Sequence, residues 1–194
     1  LTDKNPTQYQ DIHSLEETPE GTWTNLGLYG GDAADVVVDP ATNWVFVAIY
    51  DSPSIYRSKD DGVTWEGIEL MAGVNNQITI DSDGALYANK TNLFKSEDHG
   101  DTWVALLDPD QATKPQEVRG FDIDPHNTDH IVFGTAAGSG GNGTAYYTVD
   151  GGETWNESVM SVPTTVNVEW VSFDPTDTDG NSVYAIAHDV RNVS

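Results

Sequence analysis

The densest group of oxygen-bearing side chains in this 194-residue chain lies in DPTDTDGN, residues 174–181. Carboxylate and amide oxygens are the ligands that Ca²⁺ prefers, and a glycine allows a loop to bend sharply around the ion. The segment lacks the complete EF-hand spacing and its terminal Glu, and Asp-Gly-Asn also favours a hairpin turn. A calcium site and a simple turn both remain open. The candidate ligands are Asp174, Asp177, Asp179 and Asn181.

A second segment with the composition of a binding loop is AAGSGGNGT, residues 136–144. Phosphate-binding loops need a transition from strand to helix and a lysine, and the sequence shows neither. We expect instead a long hairpin loop that shapes a ligand groove on one face of the fold.

The charge of the chain argues against several classes of partner. Eight basic residues stand against 32 acidic ones, and the formal net charge is −24. Such a charge repels nucleic acids and anionic membranes at long range. The acidic residues alternate with Val, Ile, Trp and Tyr, which favours a folded protein with a solvated acidic shell over a disordered tail. This shell suits either a high-salt habitat or Ca²⁺ binding, and composition does not separate the two.

Cysteine content and hydropathy exclude further kinds of site and segment. The chain has no cysteine, so a disulfide framework and a thiolate metal site are both excluded. It has no long apolar run of the kind that spans a bilayer, so we expect no membrane insertion. Its first residues do not resemble an export signal, and a signal peptide removed before residue 1 would leave no trace.

A short polar turn that ends in Trp recurs along the chain. SKDDGVTW, SEDHGDTW and TVDGGETW occupy residues 58–65, 96–103 and 148–155. An Asp carboxylate can accept hydrogen bonds from the amides of such a turn, and Gly supplies a backbone angle that other residues resist. The Trp can fill the space between strands. We therefore predict a structural role for Asp60, Gly62, Trp65, Asp98, Gly100, Trp103, Asp150, Gly152 and Trp155.

The same order of strands recurs between these turns. An apolar strand ending in Asp comes first, a strand rich in β-branched and aromatic residues follows, and a third strand leads into the turn. A repeat of about 40 residues with three or four short strands is typical of a β-propeller blade. We predict an all-β fold of propeller blades. The predicted strands span residues 34–40, 44–50, 54–58, 76–81, 85–90, 92–96, 119–125, 130–136, 144–148, 169–175 and 182–188.

The repeat also predicts the organisation of the chain. Residues 1–20 are polar and are expected to form an N-terminal arm, and residues 21–194 hold the blades. The last repeat has only two predicted strands, whereas closed propellers need about four to eight blades. We expect an incomplete ring whose missing blades belong to a longer chain. Trp170 lies within an apolar strand and is predicted to be in the core. The repeats are anchored at Trp23, Trp65, Trp103 and Trp155.

The turn S-x-D-x-G-x-T-W resembles the Asp-box, or BNR repeat, of sialidases, sortilin-type receptors, photosystem assembly factors and several glycoside hydrolases. The resemblance implies that Asp60, Asp98 and Asp150 lie on the periphery of the blades, away from any active centre. Sialidases hold a sugar carboxylate with a cluster of three arginines. This chain has three arginines in all, and Arg57 and Arg119 occupy different strand positions, which disfavours that class.

A closer resemblance is to the N-terminal part of glycoside hydrolase family 74, the xyloglucan-cleaving enzymes built from two seven-bladed propellers. It implies that Asp51 is the catalytic base of an acid/base hydrolysis that needs no cofactor, and that the protein is secreted or extracytoplasmic. The general acid of the family lies in its second propeller, so this chain alone is expected to be inactive. The resemblance rests on TWTNLG (22–27), YGGDAADVVVDP (29–40), VFVAIYD (45–51), SIYRS (54–58) and the runs 119–155 and 169–189.

One departure from the family and two alternatives accompany this interpretation. Ser52 and Pro53 follow Asp51, where the family has glycine-rich sequence, so Asp51 as a strand-end turn residue stays an alternative. Trp44 and Arg57 are the candidate substrate contacts, with Trp44 as a sugar-stacking platform. A second class of function is a non-catalytic propeller. Its partner would be a protein or glycan ligand instead of a polysaccharide substrate.

Overall fold

The computed structural model describes residues 13–15, 23–25, 32–50, 54–68, 70, 77–89, 91–107, 117–136, 143–158 and 166–189. Every regular element in these ranges is a β-strand, which confirms the all-β prediction. None of the described residues forms a helix long and apolar enough to cross a membrane. The chain divides into two compact units, residues 1–74 and 75–194.

The first unit holds a two-stranded sheet and a four-stranded antiparallel sheet. β1 pairs with β2, so part of the segment expected to be an arm is a strand. Strands β3 to β6 are neighbours in chain order and form sheet 1, with Val47 opposite both Val36 and Tyr56. The strands are β1 (His13–Leu15), β2 (Trp23–Asn25), β3 (Ala33–Val38), β4 (Val45–Ile49), β5 (Ile55–Ser58) and β6 (Glu66–Ile68).

The second unit holds three antiparallel sheets built from the later repeats. Sheet 2 contains β7 (Ile78–Ile80), β8 (Leu86–Asn89), β9 (Leu93–Ser96) and β10 (Val104–Ala105). Sheet 3 contains β11 (Val118–Asp124), β12 (Asn127–Thr135), β13 (Ala145–Thr148) and β14 (Asn156–Glu157). Sheet 4 contains β15 (Val166–Phe173) and β16 (Val183–Asp189). Small antiparallel sheets in chain order are the expected architecture of propeller blades.

The core of the second unit lies between successive sheets. Tyr87 of β8 packs against Phe121 and Phe133 of sheet 3, and Val132 of β12 packs against Val171 and Phe173 of sheet 4. Tyr87 and Val132 hold the same position in the second strand of their sheets. All four residues of β8 are buried.

Sheets 3 and 4 approach most closely at glycines. A Cβ atom at Gly134 would lie 2.6 Å from Cγ1 of Val168, and one at Gly120 would lie 3.1 Å from Cα of Trp170. Both distances are well below van der Waals contact, so these positions accept no side chain without displacement of β15.

Polar side chains join neighbouring sheets at their first strands. The Gln77 amide donates to Phe121 O at 2.9 Å and accepts from Phe121 N at 3.1 Å, which ties sheet 2 to sheet 3. Oδ2 of Asp122 accepts from Phe173 N at 2.9 Å and from Ser172 Oγ at 3.0 Å, which ties sheet 3 to sheet 4. Burial raises the pKa of Asp122 above its usual value despite these donors.

The repeated turn, residues 58–65, 96–103 and 148–155, has the same hydrogen bonds at each occurrence. In the second, Asp98 accepts from Thr102 N at 2.7 Å and from Thr102 Oγ1 at 2.6 Å, and Ser96 Oγ accepts from Gly100 N at 2.8 Å. His99 and Gly100 both have positive φ angles, 56° and 90°. The hydrogen bonds lower the pKa of Asp98 to about 2, because they favour its ionised carboxylate.

Two of the Trp residues in the turns pack on a face of their sheet. Trp65 packs against Val47 and Ile49 within the first unit, and Trp155 packs on Phe133 with ring centroids 4.8 Å apart. The prediction for Trp170 is wrong. Its side chain is 54% exposed, because a register shift after Val168 turns it to a face of sheet 4 that no described sheet covers.

We predict that Gly134→Ala destabilises the protein, because the new methyl group would collide with Val168. Overpacking of this kind costs about 1–3 kcal/mol. The measurement is the midpoint of urea denaturation. Gly67→Ala, at an exposed position of β6, is the control and should change the unfolding free energy by less than about 0.5 kcal/mol. Equal midpoints for the two variants would contradict the close approach at Gly134.

The repeated turn gives a prediction about pH. The pKa of Asp98 is lower in the folded protein than its ordinary value of 3.8, so its ionised form stabilises the fold. This stabilisation is fully present above about pH 4 and is lost as the pH falls towards 2. The melting temperature of Asp98→Asn should therefore lie below that of the wild type at pH 6, and the gap should narrow below pH 4.

Asp179→Asn is the matched control for this titration, since Asp179 is exposed. Its melting temperature should follow that of the wild type from pH 6 to pH 2. A gap between wild type and Asp98→Asn that stays constant over this range would show that the charge of Asp98 does not support the turn.

Candidate functional site

The candidate base predicted from the family resemblance, Asp51, follows β4 and lies outside the described residues together with Ser52 and Pro53. The backbone on both sides is held by hydrogen bonds. Tyr50 N donates to Asp32 O and Ile49 N donates to Ser54 O, both at 3.0 Å. The chain therefore enters and leaves residues 51–53 at the end of sheet 1 where β3 begins.

The structure places Trp44 at the opposite end of β4. Trp44 directly precedes the strand and Tyr50 directly follows it. Five strand residues separate them, and the distance from Trp44 to Tyr50 is about 20 Å at the usual rise of a strand. Trp44 and the chain leading into Asp51 are therefore not brought together as one sugar-binding site.

Trp44 and Arg57 instead belong to a cluster of charged and aromatic side chains. The Arg57 guanidinium carbon lies 5.5 Å and Lys59 Nζ lies 4.7 Å from the centroid of the Trp44 ring. The Arg57 side chain is 3% exposed, and its Nη2 donates to Glu66 Oε2 at 2.9 Å. The bond from Arg57 holds the pKa of Glu66 below its usual value. This burial gives Arg57 a role within sheet 1 and leaves little of it accessible to a substrate.

The candidate calcium ligands lie in a turn between β15 and β16. Asp174 Oδ1 accepts from Thr176 N at 2.8 Å, and Asp177 accepts from the amides of Asp179 and Asn181 at 3.1 Å each. The side-chain hydrogen bond from Thr176, followed by its amide, lowers the pKa of Asp174, and the side-chain hydrogen bond from Ser182, followed by the amide of Asp179, lowers the pKa of Asp177. No group of three or more His, Cys, Asp or Glu in the described part of the chain is placed to hold a metal ion. The hydrogen bonds are those of a turn, and the calcium site stays a prediction.

The same turn docks onto sheet 3. Gly180 has a φ of +65° and lies against Asp124 and His130, where a side chain would collide with both. His130 Nδ1 lies 3.4 Å from Asp124 Oδ2, and His126 Nε2 lies 3.0 Å from Pro175 O. The turn is therefore a joint between sheets 3 and 4.

A polar cluster that sequence reasoning missed lies at the start of the first strands of sheets 3 and 4. Arg119 Nη2 lies 3.5 Å from Glu117 Oε2, and Arg119 Nε lies 4.0 Å from Glu169 Oε2. Asn167 Nδ2 donates to Glu169 Oε1 at 2.8 Å. The side chains of Glu117, Arg119 and Glu169 are between 29% and 42% exposed, so they are held in place yet accessible.

The cluster adjoins the two ends of the glycine-rich loop. Ala136 N donates to Glu117 O at 3.1 Å, and Gly143 N donates to Val166 O at 2.7 Å. Residues 137–142 lie outside the described part of the chain. Carboxylate, guanidinium and amide groups together offer both donors and acceptors, the combination that sugar hydroxyl groups require. The only sequence signal for this cluster is the charge at the start of strands that are otherwise apolar.

Comparisons with known proteins identify the fold. No protein-family model matches the chain, and no curated protein matches it. Similar solved structures include a GH74 enzyme from Niastella koreensis, 20% identical over 84% of this chain with a TM-score of 0.67. The GH74 xyloglucanase from Xanthomonas campestris is 17% identical over 89% of the chain, with a TM-score of 0.64. A structure of a nidogen/laminin complex is 15% identical over 88% of the chain, with a TM-score of 0.62.

At these identities the likeness concerns the fold. The chain spans 31% and 29% of the two GH74 enzymes and 65% of the matched chain of the nidogen/laminin complex. Its all-β sheets are thus similar to the propeller blades of GH74 enzymes, as the sequence repeat predicted.

Proposed function

We propose that the chain is part of a secreted carbohydrate-active Asp-box propeller of the glycoside hydrolase family 74 type, which hydrolyses a xyloglucan-like β-glucan. The observation that carries the proposal is the likeness of its blades to GH74 enzymes over 84% and 89% of the chain. The identical hydrogen bonds of Asp60, Asp98 and Asp150 in the repeated turn support it as well.

Asp51 is the proposed catalytic base. The hydrogen bonds of Ile49 and Tyr50 fix the backbone just before it, and a general base needs such support to hold its carboxylate beside the attacking water. In an inverting glycosidase the second carboxylate stands about 6.5–9.5 Å away and protonates the leaving oxygen. No cofactor takes part in this chemistry.

The polar cluster of Glu117, Arg119, Asn167 and Glu169 is the proposed binding surface for sugar hydroxyl groups in the second unit. Glu169 already accepts from Asn167 through one oxygen, which leaves the other, beside Arg119, to meet a ligand hydroxyl. The glycine-rich loop next to the cluster would form the wall of the groove.

We predict that Asp51→Asn in the full-length gene product lowers the rate of oligosaccharide release from xyloglucan by about 10²–10⁴-fold, the usual contribution of a general base. The amide keeps the size of the carboxylate but cannot take a proton. The measurement is reducing-sugar release under saturating xyloglucan and mixed-linkage glucan.

Asp61→Asn is the matched control, since Asp61 is exposed and its φ of 57° is one that Asn adopts readily. It should keep the wild-type rate. If Asp51→Asn is as active as the wild type, Asp51 is a turn residue and the catalytic assignment is wrong.

We predict separately that Glu169→Gln weakens binding of a xyloglucan oligosaccharide to the full-length protein by about tenfold, since a hydrogen bond to a charged group contributes about 1.5–3 kcal/mol. Isothermal titration calorimetry gives the affinity. Glu153→Gln, at an exposed position in the third repeated turn, should leave it unchanged. If both variants bind the oligosaccharide with equal affinity, the polar cluster is not part of the binding surface. This result would not affect the assignment of Asp51 as the catalytic base.

The second candidate is a non-catalytic propeller that binds a protein ligand. The structure similar over 88% of this chain comes from a nidogen/laminin complex. A net charge of −24 would favour a basic partner. If the full-length product neither releases nor binds oligosaccharide, the protein-binding function is the better explanation.

A further inference from the structure

Four Asn-x-Ser/Thr sequons, in which the middle residue is not Pro, occur in the chain. This sequence is the acceptor for N-linked glycosylation in secreted proteins. The four asparagines are Asn89, Asn142, Asn156 and Asn192. Asn142 and Asn192 lie outside the described residues, and the structure gives the other two opposite environments.

Asn89 is the last residue of β8 and is 0% exposed. Its Nδ2 donates to Arg119 O at 2.7 Å and to Val118 O at 3.2 Å, and its Oδ1 accepts from Gln77 N at 2.9 Å. A sugar on Nδ2 would replace one of the two N–H groups, and a side chain without exposed surface leaves no room for it. Asn89 therefore joins sheet 2 to sheet 3 and is not an acceptor.

Asn156 lies at the surface of sheet 3. It begins β14, the last strand of that sheet, and pairs with Tyr147 of β13. Asn156 and Glu157 are both exposed. Ser158, the hydroxyl residue of this sequon, is half-buried and donates its main-chain amide to Ala145 O at 2.8 Å. The side chain that would carry the sugar is thus accessible in the folded protein.

This accessibility is a property of the strand position. Asn156 directly follows Trp155 of its repeated turn, as Val104 follows Trp103 and Glu66 follows Trp65. Val104 is 65% exposed although sheet 3 packs on sheet 2, and the side chain of Glu66 is 58% exposed. The first residue after the Trp therefore stays open in a sheet that another sheet covers.

The sequon is also easily released from the sheet. A glycosylating enzyme must reach the backbone of the sequon as well as its Asn side chain. β14 has only two residues, and both are exposed, so local opening of this strand uncovers no core side chain. Short elements of this kind open at a small cost in free energy.

We propose that Asn156 is an N-glycosylation site of the secreted protein. The donor is an oligosaccharide joined to a lipid through phosphate. A bond forms between Asn156 Nδ2 and the anomeric carbon of the first sugar, and the bond from that carbon to the phosphate oxygen breaks. The lipid phosphate leaves, and Nδ2 gives up one proton to the glycosylating enzyme. This inference rests on the secretion that the proposed function includes.

A glycan at this position leaves the proposed sugar-binding surface open. β11 and β14 are opposite edges of sheet 3 and lie about 14 Å apart at the usual spacing of strands. The polar cluster lies at the start of β11 and β15, away from β14. The glycan would also hinder pairing of β14 with a strand of another molecule.

The test uses the full-length gene product, purified from the culture medium of the organism that encodes it. Fragmentation of its glycopeptides in a mass spectrometer locates each glycan. We expect a glycan on Asn156 and none on Asn89. An unmodified Asn156 would overturn the inference, and so would a glycan on Asn89, because burial would then not decide which sequon is used.

Four variants made in the same organism test the sequon itself. Asn156→Gln should lower the intact mass by one glycan. Ser158→Ala should do the same although it keeps Asn156, whereas Ser158→Thr keeps the sequon and should keep the glycan. Glu157→Gln is the matched control, since it changes an exposed neighbour within an intact sequon. A glycan that persists in Ser158→Ala would show that the sequon does not direct the modification.

Xyloglucan hydrolysis by the wild type and by Asn156→Gln is measured on the same samples and should be equal. If the secreted protein hydrolyses xyloglucan but carries no glycan on Asn156, only the glycosylation inference is wrong. If it carries the glycan and hydrolyses nothing, only the proposed hydrolysis is wrong. A gene product that stays inside the cell without a glycan would contradict both secretion and glycosylation.

Discussion

The fold depends on the packing of each small sheet against the next one. Strands of two to nine residues cannot bury an apolar face within one sheet, so Tyr87 and Val132 become buried only beneath the following sheet. Gly120 and Gly134 bring the sheets close enough for this contact. Where no described sheet follows, side chains on the equivalent face of sheet 4, such as Tyr184, are exposed. The stability of such an array is approximately the sum of the stability of each repeat and of the interfaces between neighbouring repeats. Each sheet therefore depends on its contacts with the next one.

The sequence predicted the parts of the fold that are encoded locally. The repeated turn carries its own donors and acceptors, so eight residues determine its geometry, and the β-branched runs before it were correctly placed as strands. The short fourth strands β6, β10 and β14 were not predicted, because EGI, VA and NE carry no strand pattern of their own. They are strands because the turn aligns them with the third strand. The exposure of Trp170 could not be predicted for a related reason, since it depends on a neighbouring sheet and on a register shift.

The candidate site residues show which contacts cannot be predicted from residue types alone. DPTDTDGN has the oxygen atoms of a cation site, yet amides of the same segment donate to two of its carboxylates, Asp174 and Asp177, as in a turn. Arg57 was a candidate substrate contact, but its side chain is buried and bonded to Glu66, which lies opposite it in β6. The cluster around Arg119 was missed because its members come from β15 and from the region of β11, which are distant in sequence. Its formation requires the packing of sheets 3 and 4.

The two ends of the sheets carry different constraints. The repeated turns join third to fourth strands, and their geometry is held by the same side-chain bonds each time. The connections from second to third strands leave from the other end, where Tyr50 is bonded to Asp32 and Ala136 to Glu117. These connections differ in length and composition, from Asp-Ser-Pro in sheet 1 to a glycine-rich segment in sheet 3. Since the turns supply the structural constraint at one end, the other end is free to vary in sequence. Loops on a rigid scaffold are where binding groups concentrate, and both the candidate base and the polar cluster are associated with that end.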